Sequence, residues 1–150
     1  EHIADPINFL NYLKKFLKQR GKFIILVPNV NDALLNFYNI PDFKHFYYCI
    51  EHLFYYSPQT IRNLFNKTEL NGSLEVIQEY PITNHINWGF KKKPSDVQKS
   101  REGIPDILLL DTKFKNEWEN LWKNFSNSYK DFLIKNNFGD RIWCEVSKNN

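Results

Sequence analysis

Residues 1–29 read EHIADPINFLNYLKKFLKQRGKFIILVPN, and their order decides the fold. Asp5 followed by Pro6 is a helix start: the carboxylate can accept from free N–H groups of the first turn, and proline loses no hydrogen bond there. Phe9, Leu10, Leu13, Phe16 and Leu17 recur at helical spacing, with Lys14, Lys15 and Lys18 on the other face. Gly21 stops the helix, and Lys18 and Arg20 suit its negative end. Phe23, Ile24, Ile25, Leu26 and Val27 then run apolar without alternation, the pattern of a strand covered on both faces in a parallel sheet. Pro28 ends it. A helix followed by a buried strand is the second half of a βαβ crossover, so a preceding strand is expected just before Glu1.

Working outward, residues 31–38 read as a short helix, and the aromatic-rich 40–56 show no clear period. Ser57-Pro58 repeats the cap signature, followed by a stripe of Ile61, Leu64 and Phe65. Asn71-Gly72 reads as a turn into a strand over 73–80 carrying Leu74, Val76 and Tyr80. Residues 81–113 read mostly as loop, broken by Pro81, Pro94, Gly103 and Pro105. The clearest helix covers about 115–136, with Trp118, Leu121, Trp122, Phe125, Tyr129, Phe132 and Leu133 on one face. Over 141–147, Ile142, Cys144 and Val146 alternate with Arg141, Trp143 and Glu145, a final strand. The fold class is therefore α/β.

Composition narrows the function. With 150 residues, the chain is one domain or part of one, and 42% hydrophobic content is enough for a packed core. A net charge of +3 is too small to argue for a nucleic-acid partner. Cys49 and Cys144 form no CxxC pair and are expected to be reduced. The longest apolar runs, at 23–27 and 107–110, are far too short to span a membrane. A soluble cytoplasmic protein is expected.

The segment "EHIADPINFLNYLKKFLKQRGKFIILVPN" resembles the middle of a class I S-adenosylmethionine-dependent methyltransferase, in which E-H-[IV]-x-[DN]-P follows the fourth strand. "EHLFYYSPQTIRNLFNKTEL" is similar to a helix of that family, and "EYPITNHINWGFKKKP" and "GDRIWCEVSK" resemble the sixth and seventh strands of one bacterial subgroup. The resemblance covers nearly the whole chain. It implies the C-terminal half of a Rossmann-like fold, a mixed sheet with an antiparallel last strand. Residues 22–27 would be strand five, and 73–80 strand six. Strand seven, 141–147, would lie between them, and the Tyr129 face of the long helix would pack on this sheet. The family's cofactor loop is glycine-rich because backbone must approach the ligand closely. The five glycines here are scattered, with no G-x-G. The chain is thus expected to be a single partial methyltransferase domain, cut after its fourth strand and lacking that loop. The bare edge at 22–27 is then expected to drive self-association or instability.

The resemblance implies S-adenosylmethionine as cofactor of the full-length protein, with Glu1, His2 and Ile3 beside it and His2 nearest the transferred methyl group. The plainer alternative is that these three merely begin a helix. His52 is the second catalytic candidate, because a hydroxyl acceptor needs a base and methyl transfer otherwise needs mainly alignment. The alternative is a satisfied histidine in an aromatic core. His2 and His52 should lie across one pocket. Asn29, at the end of V-P-N, joins His52, Tyr55, Tyr56, Asn84 and His85 as acceptor-binding candidates; a plain surface loop is the alternative for Asn84-His85. The four histidines lack metal-ligand spacing, so no structural zinc is expected. The expected activity is methyl transfer by the parent protein to a small-molecule acceptor, a sugar or surface-polysaccharide precursor, with the segment alone inactive. The alternative is a non-catalytic interaction or nucleic-acid-binding module on a degenerate methyltransferase fold, using Lys91–Lys93 beside Trp88 and Phe90.

Overall fold

The computed structural model describes residues 1–90 and 114–148. Helix α1 (Pro6–Leu13) opens on Asp5, whose Oδ1 accepts from the Asn8 N–H at 3.0 Å. It tightens into a 3-10 turn over Lys14–Phe16, ending well before Gly21. Lys14 Nζ donates to the Thr68 carbonyl at 2.6 Å and Lys148 Nζ to the Leu17 carbonyl at 3.0 Å, pinning this segment to its neighbours. Strand β1 (Lys22–Pro28) follows, then short helices α2 (Ala33–Asn36) and α3 (Pro41–Tyr47). Helix α4 (Pro58–Lys67) starts with a reciprocal capping box between Ser57 and Thr60, which satisfies orphan donors at its N-terminus. Strand β2 (Leu70–Ile77), α5 (Ile82–Gly89), α6 (Lys115–Lys135) and β3 (Arg141–Lys148) complete the described chain.

The fold is α/β, with a three-stranded sheet in the order β1-β3-β2. The last strand lies between the other two and is antiparallel to both, in the expected order; Ile25 pairs with Cys144, which pairs with Leu74. All three strands of the described sheet pair antiparallel, and the one parallel pairing among the described residues is an isolated bridge between Asn29 and Tyr56, outside the strands, so the mixed sheet is not seen among them. Ile142, Cys144 and Val146 are buried in one core with Val27, Leu10 of α1 and Ile61 and Phe65 of α4. A second cluster joins Leu34 and Leu35 of α2, Phe43 and Tyr47 of α3 and Trp88 of α5. Both cysteines are free, Cys144 buried and Cys49 half-buried. Among the described residues, no helix is long and apolar enough to cross a membrane.

Four expectations are corrected. Strand β1 is not covered on both faces: Ile24 and Leu26 are 53% and 43% exposed, while Val27 is buried. Its unbroken apolar run reads as doubly covered, yet α1 and α4 pack only one side. Asn71-Gly72 is strand, not turn; a side chain at Gly72 would come within 2.7 Å of the Glu145 carbonyl oxygen, so glycine admits the neighbouring strand. Residues 82–89 form a helix where a loop is expected; the rest of that loop, with Lys91–Lys93, lies outside the described residues. Tyr129 packs on His85 of α5 with ring centroids 5.5 Å apart rather than on the sheet, and Leu121 and Phe125 of the expected buried face are exposed. Leu133 alone of that apolar stripe is fully enclosed.

Candidate functional site

Strands β1 and β2 end, and β3 begins, at one edge of the sheet, and a cleft of about 570 Å³ opens there. Pro28, Tyr80, Asp140 and Arg141 form its floor, and Leu34, Phe43, Phe46, Tyr47 and Trp88 give it an apolar, mostly aromatic wall. Asn84, His85, Glu1, Cys49 and His52 complete the lining with Asp32. An apolar pocket with a few convergent polar groups is the usual form of a small-molecule site.

The floor is rigid because its backbone is cross-tied. Asn29 is fully buried; its Nδ2 donates to the carbonyls of Gly139 at 2.7 Å and Asn137 at 3.1 Å, and its Oδ1 accepts from the Asn31 N–H at 3.1 Å. The Asp140 carboxylate accepts from the N–H groups of Glu79 and Tyr80, both at 2.9 Å, and from Gln78 Nε2 at 3.2 Å. Asp32 Oδ1 caps α2 through the Leu34 N–H at 2.6 Å.

Burial sets the charge states. It pushes the Asp32 carboxyl up to about 7, against the opposing pull of the Leu34 hydrogen bond, and raises Asp140 as well. Arg141 is the cation that offsets both, and its Nε lies 3.5 Å from Glu79 Oε2. Burial lowers His85 to about 4, so its imidazole is neutral. The Tyr129 hydroxyl donates to the Tyr38 hydroxyl at 3.0 Å, so it accepts from His85 Nδ1 at 2.6 Å; His85 Nε2 lies 3.4 Å from Gln78 Nε2, whose shorter bonds go to the Tyr80 carbonyl at 2.8 Å and to Asp140. The Tyr129 bond fixes how the His85 ring stands in the wall. His52 differs: its Nδ1 is buried with no hydrogen-bond partner among the described residues, and so is the Tyr47 hydroxyl.

Of the residues singled out in the sequence, the fold gathers Glu1, His52, Asn84 and His85 around the cleft. His2 joins them at the rim, its ring meeting that of His52 edge-on at 4.9 Å. The two histidines are therefore neighbours, not opposed across the pocket. Tyr55 backs His52 at 5.8 Å between ring centroids, and its hydroxyl donates to the Cys49 carbonyl at 3.1 Å. Asn29 ties backbone, Tyr56 lies in the core beside Val27, and Ile3 is exposed; none of the three lines the cleft. Asp32, Tyr47, Asp140 and Arg141 line it without having been singled out. Asp32 is legible afterwards as a cap before Ala33-Leu34-Leu35, and Asp140 as the residue between Gly139 and the last strand.

Around the residues implied for S-adenosylmethionine, the backbone is tied back to the chain. The Glu1 carbonyl is taken by the N–H groups of Leu53 and Phe54, at 2.8 and 3.2 Å. No glycine-rich turn stands beside Glu1, His2 and Ile3. The group also suits a metal ion: Glu1, His2 and His52 each bring one ligand atom to within 4.8 Å of the others. No protein-family model matches the chain, and no curated protein matches it.

Proposed function

We propose that this chain supplies the acceptor side of a small-molecule methyltransferase, as the C-terminal half of a Rossmann-like class I domain. The observation that carries this is the sheet order β1-β3-β2, with its antiparallel central strand, and a cleft at the edge where β1 and β2 end. In open α/β sheets ligands bind outside the carboxyl ends of the strands. The residues gathered there include Glu1 and His52 from the segments that resemble the family. S-adenosylmethionine would be held by other parts of the full-length protein, where it supplies the methyl group.

The chain's own residues suit an uncharged, ring-shaped acceptor bearing hydroxyls, such as a sugar precursor. Trp88, Phe43 and Phe46 offer flat apolar faces, and Asn84 an amide for orientation. His52 lines the cleft and its buried Nδ1 has no hydrogen-bond partner among the described residues; with a turn of the ring it would take the proton that a hydroxyl loses as its oxygen becomes a nucleophile. The Tyr47 hydroxyl would hold that oxygen or its neighbour. The same reading makes the open side of β1 the place where a further strand adds, and self-association of the 150-residue chain follows from it.

Calorimetric titration of S-adenosylhomocysteine into this chain and into the full gene product tests the proposal. Binding by the longer protein alone supports it. Binding by neither overturns it in favour of an interaction module on a degenerate fold, and binding by the short chain alone means the cofactor site is misassigned.

A further inference from the structure

We infer that Glu1, His2 and His52 form a binding site for one divalent transition-metal ion at the rim of the cleft. Three features of the cluster converge on this. His2 Nδ1 lies 2.8 Å from the Glu51 carbonyl oxygen, which can only accept, so Nδ1 carries the proton. In the neutral ring this leaves a lone pair on His2 Nε2, which faces Glu1 Oε1 at 3.8 Å. Two acceptors aimed at each other repel unless a cation, a proton or a metal ion, sits between them. His52 presses its ring against His2, and its buried Nδ1 has no partner among the described residues. A hydrogen bond from one ring nitrogen to a backbone carbonyl is also how ligating histidines are commonly oriented, with the other nitrogen fixed toward the metal.

The donor set selects the ion. Two imidazoles and one carboxylate suit zinc, iron, cobalt or manganese better than magnesium or calcium, which prefer oxygen ligands throughout. Ligand atoms about 2.1 Å from an ion stand roughly 3–3.5 Å apart, so the triad must close by about an ångström. The His2 side chain, 57% exposed, can pivot on its bond to the Glu51 carbonyl to make that movement toward Glu1, which is 18% exposed. Three protein ligands leave coordination positions open, the arrangement of reactive rather than structural sites. Glu1 and His52 both line the cleft, so an oxygen of a molecule bound there can complete the sphere. The site needs only these three side chains, so it does not depend on methyl transfer; while the ion is bound, His52 is its ligand and not the base for a hydroxyl.

Titrating Co²⁺ into the 150-residue chain at neutral pH tests it, read as the visible absorption of the bound ion. One saturable ion per chain is expected, displaced by Zn²⁺. His2→Gln, His52→Gln and Glu1→Gln should each weaken binding by about tenfold or more, while His45→Gln, outside the cluster, should not. Thermal melts accompany each variant; His2→Gln removes an exposed side chain and should fold normally, so its loss of binding is diagnostic even if His52→Gln misfolds. Absence of saturable binding in the parent chain overturns the inference. So does undiminished binding by His2→Gln, which would place the ion elsewhere on the chain. Cofactor binding is not needed for this readout, so it fails or succeeds apart from the methyltransferase proposal.

Discussion

Asp32 and His85 line the same cleft, and burial moves their proton affinities in opposite directions. The folded-state value of Asp32, about 7, lies above its ordinary 3.8, so between those values the folded chain keeps a proton that the unfolded chain has lost. Stability from this group is therefore present at acid pH and lost as pH rises toward 7. His85, at about 4 rather than 6.5, does the reverse: its contribution is present above 6.5 and lost as pH falls toward 4. Asp32→Asn keeps an oxygen for the Leu34 N–H. Its stability relative to the parent should therefore grow by about 2–4 kcal/mol between roughly pH 4 and 7. His85→Gln should gain on the parent by a similar amount as pH falls from about 6.5 to 4. Urea denaturation across this range checks both, and parallel profiles for parent and variants would refute the assignment. At this scale the sequence showed His52 and Asn84-His85 because they sit in recognisable segments. It hid Asp32 and Asp140, because a carboxylate's burial depends on contacts with residues far along the chain.

At the scale of elements, caps and apolar periods were readable wherever the deciding contact is local. Asp5 and Ser57 both cap the helices expected of them. Ser57→Ala removes the bond from the Thr60 N–H to the serine hydroxyl and leaves the Ser57 N–H bonded to Thr60 Oγ1; it should cost about 1 kcal/mol by chemical denaturation, and the double variant with Thr60→Ala less than the sum of the two. Elements set by tertiary packing were not readable. Helix α5 forms because Ile82, Thr83, Asn84, His85 and Trp88 are buried between α6 and the aromatic cluster, though Pro81 and Gly89 bracket it like a loop. Strand β1 pairs only with β3 among the described residues, and its outward Ile24 and Leu26 remain exposed. Sedimentation velocity should show association rising with concentration, and Ile24→Lys should reduce it by placing a charge on that face. A concentration-independent monomer in both would remove the edge from consideration.

For the whole molecule, the period of two made the last strand legible, but its place between the other two was an expectation from the family resemblance and not from periodicity. What covers the second face of the sheet was not legible, since an apolar run states only that a side is hydrophobic. The pairing partners lie far apart in sequence: Lys22 faces Ser147 and Leu70 faces Lys148. Non-local pairing of this kind slows folding, so refolding from urea should fall in the millisecond-to-second range rather than the microsecond range of helical bundles. Stopped-flow fluorescence of the four tryptophans would follow it. A chain ending at Gly139 should lose the sheet altogether, read as the loss of a cooperative urea transition.

The position of β3 also sets an order of events during translation. Residues 22–28 and 70–77 leave the ribosome with no strand between them, and the one that joins them is 141–148. At about 5–20 residues per second, the wait after β2 is on the order of several seconds. Through that interval the nascent chain carries two half-made apolar edges in the open. Its yield in a cell would then depend on whatever shields them, and on how quickly the remaining codons are read.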